Sequence, residues 1–179
     1  MNSMYVTSFV RSGNTVFAGA LEGVIYSTDS GVNWFGTQLS GQTVYSIASY
    51  NNTLVAGTSS AGVFLSTNNG INWAQTALNN QSINAVAVNA GKIFAGTNNG
   101  IFTSINNGAS WILTSLNNQV ISLALSGNNI FAGTLSAGVF LSSNNGINWV
   151  QSLLNVQEVH SLVFENNMVY AGTAAGVYF

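Results

Sequence analysis

The chain has 179 residues, enough for one domain with a sizeable core; 47% of them are hydrophobic and only 3% are charged. The net charge of −2 rests on Glu22, Asp29, Glu158 and Glu165 against Arg11 and Lys92, and two scattered cations exclude binding to a phosphate backbone, so no nucleic acid partner is expected. Without cysteine there is no disulfide and no thiolate metal site, and no apolar run approaches the roughly 18 residues of a membrane helix, so no membrane insertion is expected either.

The opening residues, MNSMYVTSFV, alternate as a β-strand does and lack the basic-then-apolar order of a signal peptide. The segment VFAGALEGVIYS then reads as two strands about a turn that holds Glu22. The stretch STDSGVNW (Ser27 to Trp34) follows, and a fourth strand runs on toward residue 40. The second unit repeats this order: strands are expected over Val44 to Tyr50, Thr53 to Ser59, Gly62 to Thr67 and Ile71 to Leu78, joined by Asn- and Gly-rich turns. Third and fourth units follow, and a fifth, VHSLVFENNMVYAGTAAGVYF, reaches Phe179 with three strands. The Ala-Gly glycines Gly19, Gly57, Gly96, Gly133 and Gly172 recur at intervals of 38, 39, 37 and 39.

Four short antiparallel strands per unit of about 38 residues describe a propeller blade. The expected fold is therefore all-β: a single domain, 1–179, folded as a β-propeller of five blades over 1–40, 41–79, 80–117, 118–155 and 156–179. Four blades have four strands, and the fifth has three or shares one. One blade cannot bury both faces, so blades stack about an axis, and the small Ala-Gly pair lets neighbours approach closely. Closure of the ring within the chain is the expected arrangement.

The eight-residue stretch returns as STNNGINW (Ser66 to Trp73), SINNGASW (Ser104 to Trp111) and SSNNGINW (Ser142 to Trp149). This pattern resembles the Asp-box, or bacterial neuraminidase repeat: Ser, any, Asp, any, Gly, any, any, Trp. The resemblance covers nearly the whole chain. It implies that Ser27, Asp29, Gly31 and Trp34 form a structural hairpin between third and fourth strands. The same role passes to Ser66, Asn68, Gly70 and Trp73; to Ser104, Asn106, Gly108 and Trp111; and to Ser142, Asn144, Gly146 and Trp149. An Asp or Asn oxygen accepts nearby backbone N–H groups, which needs no charge, so three Asp-to-Asn changes are tolerable in a turn and fatal to a catalytic carboxylate. The tryptophans are expected to wedge between blades.

Catalysis is not expected. The sialidases that carry this repeat resemble one another in using three arginines, a tyrosine with a glutamate, and an aspartate, and this chain has one arginine. Glycoside hydrolysis needs two carboxylates at a defined separation, whereas Glu22 and Glu165 read as solvated turn residues. The single histidine, His160, shares a column with Thr7, Tyr45, Asn84 and Ile121, the varied second position of each first strand, and no metal site or cofactor follows from it.

The expected function is a non-catalytic extracellular or cell-surface scaffold. Sparse charge with abundant Asn, Ser and Thr points to that location. Self-association is expected through the edge at Val177, Tyr178 and Phe179, paired with MNSMYV or with another chain. The alternative is a carbohydrate-binding lectin with glycans as partners. Its candidate contacts are Tyr45, Asn84 and His160 on the first strands, and Gln42, Gln81, Gln119 and Gln157 in the loops between units.

Overall fold

The computed structural model describes residues 5–155 and 158–179, which form five antiparallel sheets and no helix. The first sheet holds β1 (Val6–Ser12), β2 (Thr15–Ala20), β3 (Gly23–Ser27) and β4 (Phe35–Ser40) in that spatial order. The second holds β5 (Val44–Tyr50), β6 (Thr53–Thr58), β7 (Val63–Ser66) and β8 (Ala74–Gln75). In the third lie β9 (Ile83–Asn89), β10 (Lys92–Thr97), β11 (Gly100–Ser104) and β12 (Ile112–Leu113), and in the fourth β13 (Val120–Ser126), β14 (Asn129–Thr134), β15 (Val139–Ser142) and β16 (Val150–Gln151). The fifth has three strands, β17 (Val159–Glu165), β18 (Met168–Thr173) and β19 (Gly176–Tyr178). This is the five-bladed propeller architecture that the repeat predicts.

Three of the fourth strands are shorter than their apolar pattern suggests. Pairing in the second blade covers only Ala74–Gln75, not Ile71 to Leu78. Ile71 and Asn72 still belong to the eight-residue turn. Beyond Gln75 the chain bonds to its own sheet and to the next blade in turn: Thr76 N donates to Val63 O at 2.9 Å, and Ala77 N to Gly108 O at 3.0 Å. The outermost strand thus stitches neighbouring blades together.

First strands line the inside of the stack, with β1 packed on β5, β5 on β9, β9 on β13 and β13 on β17. Each carries a register shift at its second residue, between Val6 and Ser8, Val44 and Ser46, Val120 and Ser122, and Val159 and Ser161, with the matching shift at Asn84 opposite Gly96 and Thr97. A bulge residue has no ladder partner, which frees its side chain from the sheet's packing requirements. The varied column of Thr7, Tyr45, Asn84, Ile121 and His160 is this bulge.

Successive blades meet through a knob and a socket. Val44, Ile83, Val120 and Val159 are fully buried, each against the Ala-Gly glycine of the preceding blade. A Cβ added at Gly19 would lie 2.7 Å from Val44, at Gly57 2.5 Å from Ile83, at Gly96 2.7 Å from Val120, and at Gly133 2.7 Å from Val159. Glycine is required here by space, and burying each branched knob contributes about 1.5–3 kcal/mol. The inter-blade cores extend outward from these contacts, as in the cluster of Phe17, Val24 and Leu39 from the first blade with Val44, Ile47 and Leu54 from the second.

Closure of the ring is not formed. Among the described residues, β17 makes no packing on β1 comparable to that between successive first strands. Val6, in the knob column, is 37% exposed, and a Cβ at Gly172 would meet only Ser161 of its own blade. The first and fifth blades are therefore not joined by the contact that joins each successive pair. Four residues of the segment MNSMYV, expected to pair with the open edge, lie outside the described residues; Tyr5 and Val6 belong to the first blade.

Candidate functional site

The repeated eight-residue turn is a hydrogen-bonded folding unit. In the first copy Ser27 Oγ donates to Asp29 Oδ1 at 2.8 Å and accepts from Gly31 N at 2.8 Å. Asp29 Oδ1 also accepts from Asn33 N at 2.9 Å, and Asp29 Oδ2 from the Asn33 amide at 2.7 Å. The Asn33 backbone N–H foremost, then its side-chain amide and the Ser27 hydroxyl, hold the Asp29 carboxyl down at about 2, against an ordinary 3.8. Neutral copies keep the same pattern: Asn68, Asn106 and Asn144 each accept from the backbone N–H four residues on, at 2.9 Å. Ser66, Ser104 and Ser142 each accept from the turn glycine, Gly70, Gly108 or Gly146.

The tryptophans close the cores between blades, partly rather than fully buried. Trp73 packs on the cluster between the first and second blades, Trp111 on that between the second and third, and Trp149 on that between the third and fourth. Trp34 instead lies 6.2 Å from Phe9 within its own blade. Indole N–H groups of Trp34, Trp111 and Trp149 donate to the carbonyls of Gly31, Gly108 and Gly146 at 3.0, 3.2 and 3.2 Å. Trp73 Nε1 is the exception, buried with no hydrogen-bond partner.

The candidate ligand contacts do not converge on one place; they are distributed along the arc. Tyr45 is exposed on β5. Asn84 Nδ2 donates to Val120 O at 3.0 Å and to Asn98 Oδ1 at 3.0 Å, and Gln119 Nε2 donates to the same oxygen at 3.0 Å, so Asn84 and Gln119 form one small amide cluster that ties blades together. Thr7 makes the matching bond to Val44 O in the first blade. His160, exposed at the bulge of β17, lies 3.7 Å from Glu158. Gln81 and Gln119 accept backbone bonds through their carbonyls, from Gly62 and Leu135 at 3.0 Å each. Gln42 is half-buried in the corresponding loop, and Gln157 lies outside the described residues. Among the described residues, no three His, Asp or Glu side chains group as metal ligands would.

One feature of the surface is absent from that set of candidates. A recess of about 500 Å³ opens between the first and second blades, walled by Phe17, Tyr26 and Gln38 and roofed by Asn69 and Gly70. Its signal in the sequence is a break in the repeat: Tyr26 stands where the next three copies have Leu65, Thr103 and Leu141.

No protein-family model matches the chain, and no curated protein does. The fold is similar to that of the computationally designed Ika8 protein, with a TM-score of 0.75 and 17% identity over 97% of this chain and 58% of that one. It is similar to YCF48 from Cyanidioschyzon merolae, with a TM-score of 0.73 and 13% identity over 97% of this chain and 65% of that one. A GH74 enzyme from Niastella koreensis gives a TM-score of 0.75 and 18% identity over 97% of this chain and 34% of that one. At these identities the likeness is one of propeller fold alone. The chain spans less than two thirds of the length of each of the three.

Proposed function

We propose that this chain is a non-catalytic β-propeller scaffold, built on Asp-box turns and working outside the cell or at its surface, that assembles head to tail with copies of itself. The observation that carries this reading is the unmatched knob and socket. Val6 and Gly172 belong to the two columns that meet at every internal junction, and neither has its counterpart. A second copy whose Val6 enters the Gly172 socket would repeat the Gly133–Val159 contact. Such an interface is heterologous, so repetition either closes a larger ring or runs on as a filament. Ser161 and His160 support the same arrangement. Ser8 and Ser46, in the column of Ser161, accept from Ile47 N and Val86 N of the next blade, and Thr7 and Asn84, in the column of His160, donate to its carbonyls.

The non-catalytic part rests on the carboxylates. Asp29 is held by its own turn, Glu22 and Glu165 are exposed, and Glu158 faces His160. Sparse charge on a polar surface of Asn, Ser and Thr supports the extracellular setting.

A cysteine pair tests the assembly, because the chain has no other thiol. A Cβ added at Gly19 would lie 3.4 Å from Val44 Cβ, close to the roughly 3.5–4.5 Å of a disulfide, so the same columns can be bridged. Mixing Val6→Cys with Gly172→Cys under mild oxidation is expected to give mixed disulfide dimers well above the homodimers of either alone. Equal yields of the three species would count against the interface.

A further inference from the structure

We propose that the groove between the fourth and fifth blades is a docking site for a peptide segment of another protein, one that carries an Asn-Gly turn followed by a tryptophan and a short strand. The groove is separate from the Gly172 socket, which opens beyond the fifth blade. The earlier junctions show what such a groove takes. Trp73 closes the core between the first and second blades, Trp111 that between the second and third, and Trp149 that between the third and fourth. Each tryptophan comes from the turn of the later blade. Among the described residues, the core of Val139, Val159 and Ala171 between the fourth and fifth blades has no tryptophan packed on it.

The space at this junction has the walls of a tryptophan site. An apolar hollow of about 330 Å³ is lined by Phe131, Leu141, Leu154, Val169 and Tyr178. In the repeat these residues hold the places of Val55, Leu65, Leu78, Ile93 and Phe102, all members of the cluster that Trp111 closes. The turn that delivers an indole has seats of its own. A Cβ added at Gly70 would lie 2.6 Å from Phe17, and one at Gly108 2.5 Å from Thr76, so each turn glycine lies directly on the blade before it. Ala77 N adds its bond to Gly108 O. The fourth blade has Phe131, Ser152 and Leu153 in the places of Phe17, Thr76 and Ala77; all three line the hollow, and Leu153 is 99% exposed. Beside them the outer edge of β19 is unpaired, where β7 and β15 bond to Ala74–Gln75 and Val150–Gln151.

The seats for a turn, an indole and a strand are therefore open together. An indole entering the hollow buries on the order of 200 Å² of surface, and a strand added to the free edge of β19 supplies main-chain bonds. No charged residue lines the hollow, so a neutral segment fits, whereas a charged one would lose its hydration without gaining an ion partner. The four such turns of this chain are each tied into their own blade by the serine that accepts from the turn glycine. The donor is accordingly a separate polypeptide with a segment of this kind free.

The experiment is an amide-resolved NMR titration of the whole chain with a synthetic peptide, SSNNGINWVQSLL, that copies Ser142 to Leu154, and with the same peptide carrying Trp149→Ala. Both the native chain and Val6→Asp, in which the head-to-tail contact is disrupted, serve as hosts. The first peptide is expected to shift the signals of Leu153, Leu154, Val169, Val177 and Tyr178 saturably in both hosts. The Trp149→Ala peptide is expected to bind more weakly by about tenfold or more, equivalent to about 1.4 kcal/mol. Leu153→Asp in the host, a change at an exposed position that leaves the spectrum folded, is expected to weaken the first peptide as well. No saturable shift at millimolar peptide would overturn the proposal. So would equal binding of the two peptides, shifts centred on another junction, or binding confined to the native host, which would assign the signals to assembly.

Discussion

At the scale of single residues, the chain shows which features of a turn need charge and which need only an oxygen. Asp29 and its three Asn counterparts make the same bonds to the backbone four residues on, so the carboxylate adds a pH dependence and not a different structure. Its folded value is depressed, so its contribution is fully present above the ordinary 3.8 and is lost as pH falls through about 2. A side-chain carbon titration by NMR is expected to place Asp29 near 2. Asp29→Asn is expected to flatten the acid limb of the melting temperature between those values and to lower it at pH 7 toward its acid value. The glycines carry a harder constraint. Gly57→Ala would drive a methyl to 2.5 Å from Ile83 and is expected to cost about 1–3 kcal/mol by overpacking, read from denaturant unfolding. Gly172→Ala, where a methyl meets only the Ser161 hydroxyl of its own blade and no facing blade, is expected to cost clearly less.

Among elements, the turns and short strands act mainly through their neighbours. Trp73 belongs by sequence to the second blade but seals the core it shares with the first, beside Phe17 and Val44. Trp73→Ala is expected to cost about 3 kcal/mol through a cavity at that junction. Because Trp34 lies against Phe9 of its own blade and outside the cores between blades, Trp34→Ala is expected to cost clearly less; equal losses in equilibrium unfolding would contradict this account. These elements also show what a sequence can and cannot disclose. Strand β5 lies where alternation places it, because its pattern is enforced by burial on one face and by turn residues at its ends. Strand β8 does not, since Ile71 is an exposed residue of the turn and Leu78 is buried in the core shared with the next blade, and a period-two pattern carries no record of which sheet covers a side chain. The column of Tyr45, Asn84 and His160 was visible as variation, while its cause, a bulge, is a property of pairing. The recess between the first two blades was present in the sequence only as one broken repeat, Tyr26.

For the whole molecule, the decisive feature is a contact made four times and offered once more. The ends of the arc are apolar and exposed: Val6 and Phe9 on one side, Val163 and Val177 on the other. Five sequence units specify five blades, but whether the first blade meets the fifth is not written in any one repeat. The open arc was therefore not legible beforehand. Since the surfaces to be joined are nearly free of charge, the association is expected to change little between low and high salt. The most direct measurement is the molar mass in solution by light scattering across a concentration series, for the native chain and for Val6→Asp with Gly172→Val. The native chain is predicted to rise above the 18.7 kDa of one copy as concentration increases, and the double variant to remain at that mass. A native chain that stays at the mass of a single copy throughout, or a double variant that associates just as well, would contradict assembly through this junction.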